Sequence, residues 1–494
     1  MGLVELPKNV VDCKNLVGGV WLAPEGVAWQ DVRSPYSGEV IGRVPLSSAA
    51  DVAAVVEAAK AAAPGWRQTA LRERTARMFQ FRLLLEKHVE RLAHLAASEA
   101  GKTVGEARAE VHKGMEVLDF ALSIQNLDTG GSMEVSAGVF CEYRREPLGV
   151  VAGITPFNFP AMVPMWMFPI AVTLGNAFIL KPSEKVPLTA CALGELMLEA
   201  GVPPGVFSIV HGNAPAVEAL LQSPDIAAVA FVGSSTVARK VYELGTTHGK
   251  RVLALGGAKN HLIVTPDADP TMTAQAVLDS FTGCAGQRCM AASVMVAVGD
   301  VQHIIDEVAR KARALQLGTQ MGAIIERKAV ERLHSAIGRA EKDGAKLLVD
   351  GRGRRPDDAE YTDGNWLGPT ILDGVKPEQE AAQRELFGPV LTIVRVPTLS
   401  AAIAVENASP YGNAASVFTQ SGVVAQQVAE HARAGMIGVN VGVPVPREPF
   451  SFGGIGESKF GHGDITGPSS LDFWSLTKKI TRKWSGRASD SWMS

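Results

Sequence analysis

Cysteine is scarce in this chain of 494 residues, which has five, at positions 13, 141, 191, 284 and 289. No two of them form a Cys-x-x-Cys pair, so we expect neither a disulfide framework nor a structural metal site. A reducing compartment, the cytoplasm, is the expected location. Residues 1–10 also lack the basic start and the apolar run of a secretory signal.

An excess of positive charge is absent as well. Lysine and arginine total 48 against 51 aspartate and glutamate residues, which gives a net charge of −3. This balance gives no indication of nucleic acid or an anionic membrane surface as a partner. Apolar residues make up 46% of the chain and charged residues 20%, a composition typical of a well-packed enzyme. The length predicts two large domains with accessory pieces.

One long stretch, residues 147–180, has no charge at all. Its 34 residues are enough to span a bilayer. However, it contains prolines at positions 147, 156, 160, 164 and 169, and a proline inside a helix removes a hydrogen bond and adds a clash. We therefore interpret the stretch as a buried strand, a loop and a core helix, and we expect no membrane segment.

The N-terminal third changes from a strand pattern to a helix pattern. Residues 16–46 alternate short apolar runs with turn signals, which predicts β-hairpins. Helical spacing then marks three segments, residues 51–63, 72–97 and 104–122. The first helix is expected to end at Pro64.

Beyond residue 147, strand patterns alternate with helix patterns. Such alternation predicts parallel βαβ units of the kind that bind nucleotides. A similar region from about residue 252 to residue 442 predicts a second α/β domain. The tail, residues 474–484, has a strand pattern with no place in either domain, so we expect it to be available for pairing with another subunit.

Residues 281–290 contain the most informative motif, in which Gly286 and Gln287 precede Arg288 and Cys289. A thiolate is a good nucleophile and a thiol is not, and the adjacent guanidinium is expected to raise the ionised fraction of Cys289. The alternative is an inert buried cysteine, which is the ordinary state of a free thiol.

Two strand ends carry groups that suit a nucleotide, although the usual Gly-x-Gly-x-x-Gly fingerprint is absent. Gly233 and Ser234 lie between a strand and a helix, where free N–H groups suit a phosphate; alternatively they form only a turn. Lys181 and Glu184 follow another strand, where they would hold a ribose diol or else form a surface ion pair.

Two further segments carry candidate polar groups. Asn158 lies between two aromatic residues and two prolines, so its amide either ties loop backbone together or awaits an oxyanion. Glu385 and Phe387 are two residues apart on an extended segment and are predicted to point the same way.

These motifs occur in the order and spacing of the aldehyde dehydrogenase superfamily, which the chain resembles over nearly its whole length. Within it, the chain is most similar to the CoA-acylating methylmalonate-semialdehyde dehydrogenases. The motifs that carry this closer likeness are residues 165–169, 257–261, 286–290, 443–446 and 450–452.

The resemblance implies an aldehyde dehydrogenase-like α/β fold with two parallel-sheet domains. The implied parts are a Rossmann-like NAD-binding domain (1–125 and 145–252), a catalytic domain (253–442), a small β oligomerisation arm (126–144 and 470–494) and a return segment lining the substrate pocket (443–469). It also implies a homotetramer or homodimer.

The resemblance further implies that Cys289 is the nucleophile and Asn158 an oxyanion donor, with NAD as cofactor. NAD is expected over NADP because Glu184 would repel a 2′-phosphate. The residues implied in cofactor binding are Thr155, Phe157, Lys181, Glu184, Lys185, Gly233, Ser234, Gly256, Glu385 and Phe387.

One residue of the family pattern is missing. Hydrolytic members have a glutamate in Glu-Leu-Gly-Gly-Lys that activates water, whereas this chain has Leu-Ala-Leu-Gly-Gly-Ala-Lys at residues 253–259. Depending on the alignment, the glutamate is replaced by Leu255 or by Ala254, and neither side chain can take a proton. A general base is worth about 10²–10⁴-fold, so water should attack the acyl-enzyme slowly and CoA should take the acyl group as co-substrate.

In the resembled family two arginines face the substrate carboxylate. One matches Arg288 and the other falls at Lys113, which keeps the charge but loses the bidentate fork. Phe450 and Phe452 are also implied in the substrate pocket. Acidic semialdehydes such as malonate or methylmalonate semialdehyde are therefore the expected substrates.

The function inferred from the sequence is NAD-dependent oxidation of such an aldehyde through a Cys289 thioester that is passed to CoA. A hydrolytic dehydrogenase that releases a free acid by using another base is the first alternative. A catalytically silent binding protein on the same fold is a remote one. No metal is expected, and small molecules are the expected partners.

Overall fold

The predicted alternation of strands and helices forms two large sheets in the computed structural model, which describes residues 4–127, 130–361 and 363–484. Part of the predicted oligomerisation arm, residues 485–494, lies outside the described residues. Of the helices within those ranges, none combines the length and the hydrophobicity needed to cross a bilayer.

The secondary structure follows the chain in this order. The strands are β1 (Val11–Asp12), β2 (Asn15–Val17), β3 (Val20–Leu22), β4 (Trp29–Arg33), β5 (Val40–Pro45), β6 (Gly130–Ser136), β7 (Val139–Pro147), β8 (Val150–Ile154), β9 (Ala177–Lys181), β10 (Phe207–Ile209), β11 (Ile226–Val232), β12 (Arg251–Leu255), β13 (Asn260–Val264), β14 (Ala292–Val298), β15 (Lys346–Val349), β16 (Thr370–Asp373), β17 (Val390–Val396), β18 (Tyr411–Gly412), β19 (Ala414–Phe418), β20 (Met436–Val439), β21 (Ile455–Gly456), β22 (Lys459–Phe460) and β23 (Ser475–Lys483). The α-helices are α1 (Ala49–Gln68), α2 (Leu71–Lys87), α3 (Val89–Ala100), α4 (Val104–Leu122), α5 (Met162–Thr173), α6 (Pro187–Glu199), α7 (Ala214–Gln222), α8 (Ser235–Thr247), α9 (Pro270–Thr282), α10 (Gln302–Ala314), α11 (Arg327–Lys342), α12 (Glu380–Gln383), α13 (Leu399–Asn407), α14 (Gly422–His431) and α15 (Gly467–Trp474). The 3₁₀ helices are Ile124–Asn126, Gly283–Gly286 and Ala359–Tyr361.

The first large sheet has the order β22-β12-β11-β8-β9-β10-β2-β3. Its five central strands, β12, β11, β8, β9 and β10, run parallel to one another. Strand β22 is antiparallel to β12, and β2 is antiparallel to β10. The parallel strands are buried, as expected when helices cover both faces of a sheet. Their carboxyl ends therefore meet at one edge of the sheet.

The second large sheet has the order β15-β16-β17-β14-β13-β19-β20. Its strands are parallel from β16 to β20, and β15 is antiparallel at one edge. The cysteine motif lies between α9 and β14, the latter a central strand of this sheet. The prediction of two parallel-sheet α/β domains is thus confirmed.

Three smaller sheets complete the structure: β1-β5-β4, β18-β21 and β23-β7-β6. In the last of these, β23 pairs along its whole length with β7 of the same chain, from Ser475 opposite Pro147 to Lys483 opposite Val139. The tail strand is therefore already paired within its own chain, and it is an edge of this antiparallel sheet. Below we call β6, β7 and β23 the arm sheet.

Two strands cross predicted domain boundaries, and the boundaries themselves stay predictions. Strand β12 crosses the predicted boundary between residues 252 and 253, because Leu253 and Leu255 continue its pairing with β11 in the first sheet. The return segment adds β22 to that same sheet, next to β12. Strand β7 extends to Pro147, so the arm sheet includes residues that we assigned to the NAD-binding domain.

The first helix runs past its predicted end. A capping box at Ser48 and Asp51 starts α1, and the helix continues through Pro64 to Gln68. The lost hydrogen bond at Pro64 is offset by burial of Trp66, whose Nε1 donates to the Val172 carbonyl at 2.8 Å. The segment predicted as one helix over residues 72–97 is instead two, which meet at His88.

The uncharged stretch is interior. Every residue of α5 is buried, and the helix lies in sequence between the fully buried strands β8 and β9. A helix that is apolar on all sides belongs in a core when it is this short. The interpretation as strand, loop and core helix therefore agrees with the structure.

Candidate active site

A cleft of about 760 Å³ lies at the carboxyl ends of three neighbouring strands of the first sheet. Ile154, Lys181 and Val232 end β8, β9 and β11 and line this cleft. Its other side comes from the second domain. The cleft brings together every residue predicted to be catalytic or cofactor-binding: Thr155, Phe157, Asn158, Lys181, Glu184, Lys185, Gly233, Ser234, Gly256, Cys289, Glu385 and Phe387.

The loop before the cysteine has an unusual backbone. Cys284, Ala285 and Gly286 have φ angles of 52°, 52° and 68°, so three consecutive residues are left-handed. Two of them are not glycine, and such residues persist only where the surroundings hold them. Gly286 has a second reason to be glycine, since a Cβ there would collide with the carbonyl of Gly388. The turn packs directly on the segment that carries Phe387.

Side chains on both sides hold this loop in place. Gln287 donates from Nε2 to the Ala323 carbonyl at 3.2 Å and accepts at Oε1 from the Ile325 N–H at 3.0 Å. The Cys289 carbonyl accepts from Nδ2 of Asn260 at 2.7 Å and from Nδ2 of Asn413 at 3.1 Å. Side chains and backbone of the second domain therefore hold the main chain on either side of Cys289.

The surroundings of the Cys289 thiol favour its protonated form. Burial and then the negative charge of Glu385 raise its pKa to about 12, although its own N–H, that of Met290 and the charge of Arg288 act in the opposite direction. Arg288 thus acts in the expected direction, towards ionisation, but burial and the charge of Glu385 outweigh it. Nη2 of Arg288 is turned to the carbonyls of Asp279 and Ser280.

Asn158 is buried, with 6% of its surface exposed, and its Nδ2 donates to the Gln287 carbonyl at 2.8 Å. The amide therefore ties its own loop to the cysteine loop. An NH2 group has two hydrogens, so the second remains for another acceptor. The two interpretations that the sequence left open are compatible in this geometry.

Helix α4 anchors both loops. Glu110, buried and paired with Lys102 at 2.6 Å, accepts the N–H groups of Ala161 and Met162 at the start of α5, just after Asn158. One turn earlier, Glu106 accepts the N–H of Cys284 at 2.6 Å. Two carboxylates on one helix thus hold the asparagine loop and the cysteine loop.

The end of β9 carries the pair expected to hold a ribose. Nζ of Lys181 lies 3.2 Å from Oε2 of Glu184, and burial lowers the pKa of the lysine. Lys185 pairs with Glu326 at 2.7 Å and lies 5.5 Å from the ring centre of Phe157. The rings of Phe157 and Phe387 meet edge to face, with centroids 5.8 Å apart, and join the two sides of the cleft.

The start of α8 offers main-chain donors. Ser234 is the N-cap residue, yet its side chain forms no capping hydrogen bond. The hydroxyl of Ser235 instead accepts the Gly257 N–H at 2.9 Å and donates to the Glu457 carbonyl at 2.7 Å. A helix N-terminus at the edge of a cleft suits a phosphate because of its free N–H groups and positive dipole end.

Glu385 approaches the backbone after β12 closely. Its Oε1 accepts the Ala258 N–H at 3.0 Å, and a Cβ on Gly257 would collide with the carboxylate. Burial raises the pKa of Glu385 to about 7 and lowers the pKa of Lys259 to about 7. The Lys259 ammonium is buried and, within the described ranges, finds no hydrogen-bond partner.

The structure places the side chains of Leu255 and Ala254 on opposite faces of β12. Leu255 belongs to a core cluster that contains Met290 and Phe452, and Cys289 packs against this cluster. Ala254 belongs to a different cluster, with Phe231 among its members, on the opposite face of the strand. The side chain on the cysteine's side is therefore Leu255, and it is apolar.

The residues predicted to bind substrate lie in different places. Phe452 is buried against Trp166, with ring centroids 4.5 Å apart. Phe450 is 73% exposed and does not line the cleft, because its side chain leaves the return segment on the solvent side. Arg288 lines a separate cavity of about 560 Å³. Lys113 binds Glu448 and Glu116.

Comparison with known proteins decides the family. The protein-family sequence model described as "Aldehyde dehydrogenase family" matches residues 21–480. The chain belongs to the aldehyde dehydrogenase family. The resemblance proposed from the motifs is thus confirmed.

Relatives of this aldehyde dehydrogenase include malonate-semialdehyde dehydrogenase 1 of Geobacillus kaustophilus (strain HTA426), which is 43% identical over 95% of this chain and 97% of its own. A provisionally assigned methylmalonate-semialdehyde dehydrogenase of Sinorhizobium meliloti 1021, solved with NAD, is 40% identical with a TM-score of 0.95, covering 97% of this chain and 99% of its own. The methylmalonate-semialdehyde dehydrogenase structure of Oceanimonas doudoroffii has 38% identity and a TM-score of 0.94, with the same coverage.

Reasoning from the sequence missed part of the site of this aldehyde dehydrogenase. Arg332 on α11 lines the cleft, and its Nη1 donates to the Leu386 carbonyl at 2.6 Å, next to Phe387. No local pattern marks it, since it lies on an ordinary amphipathic helix. The apolar walls were also missed, and their lining residues are Phe159, Val163, Trp166, Val217, Leu221, Val237, Val241 and Leu244. For Phe159 and Trp166, the lack of charge in residues 147–180 was an available signal.

Proposed function

We propose that this aldehyde dehydrogenase oxidises malonate or methylmalonate semialdehyde with NAD and passes the acyl group to CoA. The observation that carries the proposal is that Cys289 and Asn158 line one dinucleotide-type cleft, while the core cluster against which Cys289 packs contains Leu255 and not a glutamate at that position. Relatives named malonate- and methylmalonate-semialdehyde dehydrogenase, at 38–43% identity over almost the whole chain, support the substrate class.

The residues of the cleft fit NAD. Lys181 and Glu184 present a donor and an acceptor to a ribose diol, and the uncapped start of α8 at Ser234 presents N–H groups to a pyrophosphate. Glu385 and Phe387 would contact the nicotinamide ribose and ring. The carboxylate of Glu184 favours a free 2′-hydroxyl over a phosphate, because like charges repel.

Bound NAD supplies the hydride acceptor for the reaction. The thiol of Cys289 must lose its proton before the sulfur adds to the aldehyde carbon. Negative charge then develops on the substrate oxygen, and the free hydrogen of the Asn158 amide and the N–H of Cys289 would stabilise it. After oxidation, the acyl group is held on Cys289 as a thioester.

Release of that acyl group is where Leu255 matters. The side chain facing the cysteine's cluster has no proton acceptor, so water at the thioester is not activated from this position. A CoA thiolate needs no such base. Its sulfur attacks the acyl carbon and the Cys289 thiolate leaves, so the thioester to Cys289 breaks as the thioester to CoA forms.

The decisive experiment is rapid mixing of enzyme, NAD and malonate semialdehyde with and without CoA. Without CoA we expect a burst of NADH near one equivalent per active site and then a slow steady state. CoA should accelerate the steady state and appear as a thioester in the product. Fast turnover that is indifferent to CoA, with free acid as the product, favours the hydrolytic alternative and refutes ours. No NADH with any aldehyde would indicate a silent protein.

We also propose that the chain self-associates through the arm sheet, as a homodimer or homotetramer. Apolar side chains on it are well exposed, among them Met133 at 67%, Val135 at 49% and Leu476 at 50%. Strands β23 and β6 are its edges, and open edges of this kind invite pairing. A cytoplasmic location is proposed as well, and it is supported by the five free thiols.

A further inference from the structure

Lys113, the second cation expected to face an acidic substrate, has all its donors engaged. Its Nζ lies 2.8 Å from Oε2 of Glu448, 2.9 Å from Oε2 of Glu116 and 3.2 Å from the carbonyl oxygen of Pro446. An ammonium group has three N–H donors, so these acceptors saturate it. A substrate carboxylate can therefore reach Lys113 only by displacing one of them.

Glu448 is the more effective of the two carboxylates at neutralising Lys113. Its side chain is 10% exposed and that of Lys113 is 17% exposed. Glu116 is 37% exposed and is shared with Arg447, at 3.7 Å. Water and salt screen a partly buried pair much less than an exposed one. The positive charge of Lys113 is thus compensated mainly by Glu448.

This ion pair lies beside the apolar wall of the cleft. The glycine that follows Lys113 packs directly against Met165 on α5, one residue before Trp166. The ring of Trp166 lines the cleft and contacts Phe452, four residues beyond Glu448. Lys113 and Glu448 do not themselves line the cleft, so their charges would act through space on an anion bound there.

Arg288, the other expected cation, has different hydrogen-bond partners from Lys113. Its partners are two neutral main-chain carbonyls, those of Asp279 and Ser280. Its Nε is buried and has no hydrogen-bond partner among the described residues. Among the described residues the recorded hydrogen-bond partners of Arg288 are thus neutral carbonyls, whereas those of Lys113 include two carboxylates.

We propose that Glu448 is a specificity-determining residue, which weakens the binding of acidic aldehydes by neutralising Lys113 beside the cleft. This inference rests on the proposed function, because it concerns how strongly that same site prefers acidic over uncharged aldehydes.

The test compares kcat/KM for malonate semialdehyde and for propionaldehyde, which has the same three-carbon chain without the charge. Glu448→Gln removes the negative charge but still accepts a hydrogen bond from Lys113. It should raise kcat/KM for malonate semialdehyde about tenfold, chiefly through KM, because one charge acts on another at short range. Propionaldehyde should change by less than about twofold, since no ionic interaction with it is altered.

Glu116→Gln is the matched control, since it removes the more exposed carboxylate from the same lysine. It should change the ratio of the two kcat/KM values by no more than about twofold. The double variant Lys113→Met with Glu448→Gln removes both charges and should return the ratio to about the wild-type value. An unchanged ratio in Glu448→Gln, or an equal rise for both aldehydes, would overturn the proposal.

Should Glu448→Gln not fold, as judged by its melting temperature, Lys113→Met gives the converse result. Glu448 is then uncompensated, and the ratio should fall about tenfold; no fall overturns the proposal. Failure of the proposed function is distinguishable, because NADH formation reports the ratio whether the product is a CoA thioester or a free acid.

Discussion

Placing a carboxylate at Leu255 should convert the acyl-enzyme from CoA-dependent to water-dependent release. Leu255 is 4% exposed and belongs to the cluster against which Cys289 packs, so a glutamate there is directed to the cysteine's side. A positioned general base is worth about 10²–10⁴-fold, and we expect the lower end, about 10²-fold, since the surroundings are not built for it. The loss of apolar contacts should cost about 3 kcal/mol of stability.

The assay is the steady-state rate of NADH formation that follows the burst, measured without CoA. Leu255→Gln is the matched control, because it makes the same packing change without a base. The rate for Leu255→Glu should rise with pH, since burial raises the pKa of a carboxyl group and only the ionised form takes a proton. If Leu255→Glu releases the acyl group no faster than Leu255→Gln, our assignment of Leu255 as the position of the missing base is wrong.

Three further predictions concern the nucleophile, the oxyanion donor and the arm sheet. Because the pKa of Cys289 is raised to about 12, its alkylation by iodoacetamide in the free enzyme should accelerate about tenfold per pH unit from about pH 6 to 9. Peptide mass analysis follows the alkylation, and a rate that levels off below about pH 8 would contradict the raised pKa. Asn158→Ala should reduce the rate of the NADH burst about 10²–10³-fold while NAD still binds, and a loss of less than about tenfold would remove Asn158 from the oxyanion site. Met133→Glu should shift the protein to a smaller species in sedimentation, whereas Val423→Glu, at an equally exposed site on α14, should not; a monomeric wild-type protein would refute self-association.

The cleft could be predicted from the sequence because its residues follow strands. Lys181 ends a parallel strand, and Ser234 and Asn158 each follow one within a few residues; such ends meet at one edge of a sheet whatever the intervening helices do. Repeated strand–helix alternation likewise fixed the fold class. These features depend on local pattern and connectivity, which a single sequence carries.

Side-chain direction and exact register could not be predicted in the same way. A shift of one residue moves a side chain to the other face of a strand, so Leu255 and Ala254 remained equivalent until the pairing of β12 was known. Arg288 turns back to carbonyls at the end of α9, eight and nine residues earlier, and a motif does not give the direction in which a side chain turns. Pro64 stays within α1 because Trp66 is anchored by Val172, a contact between distant parts of the chain.

The anchoring of two loops by α4 has a consequence for how activity is lost on heating. Glu110 holds the segment after Asn158 within the first domain, while Glu106 reaches the cysteine loop of the second. The distance between oxyanion donor and nucleophile is thus a property of the contact between domains and not of either domain alone. We therefore expect slight separation of the domains to stop catalysis before helices and strands melt, so that activity is lost at a lower temperature than the far-UV circular dichroism signal.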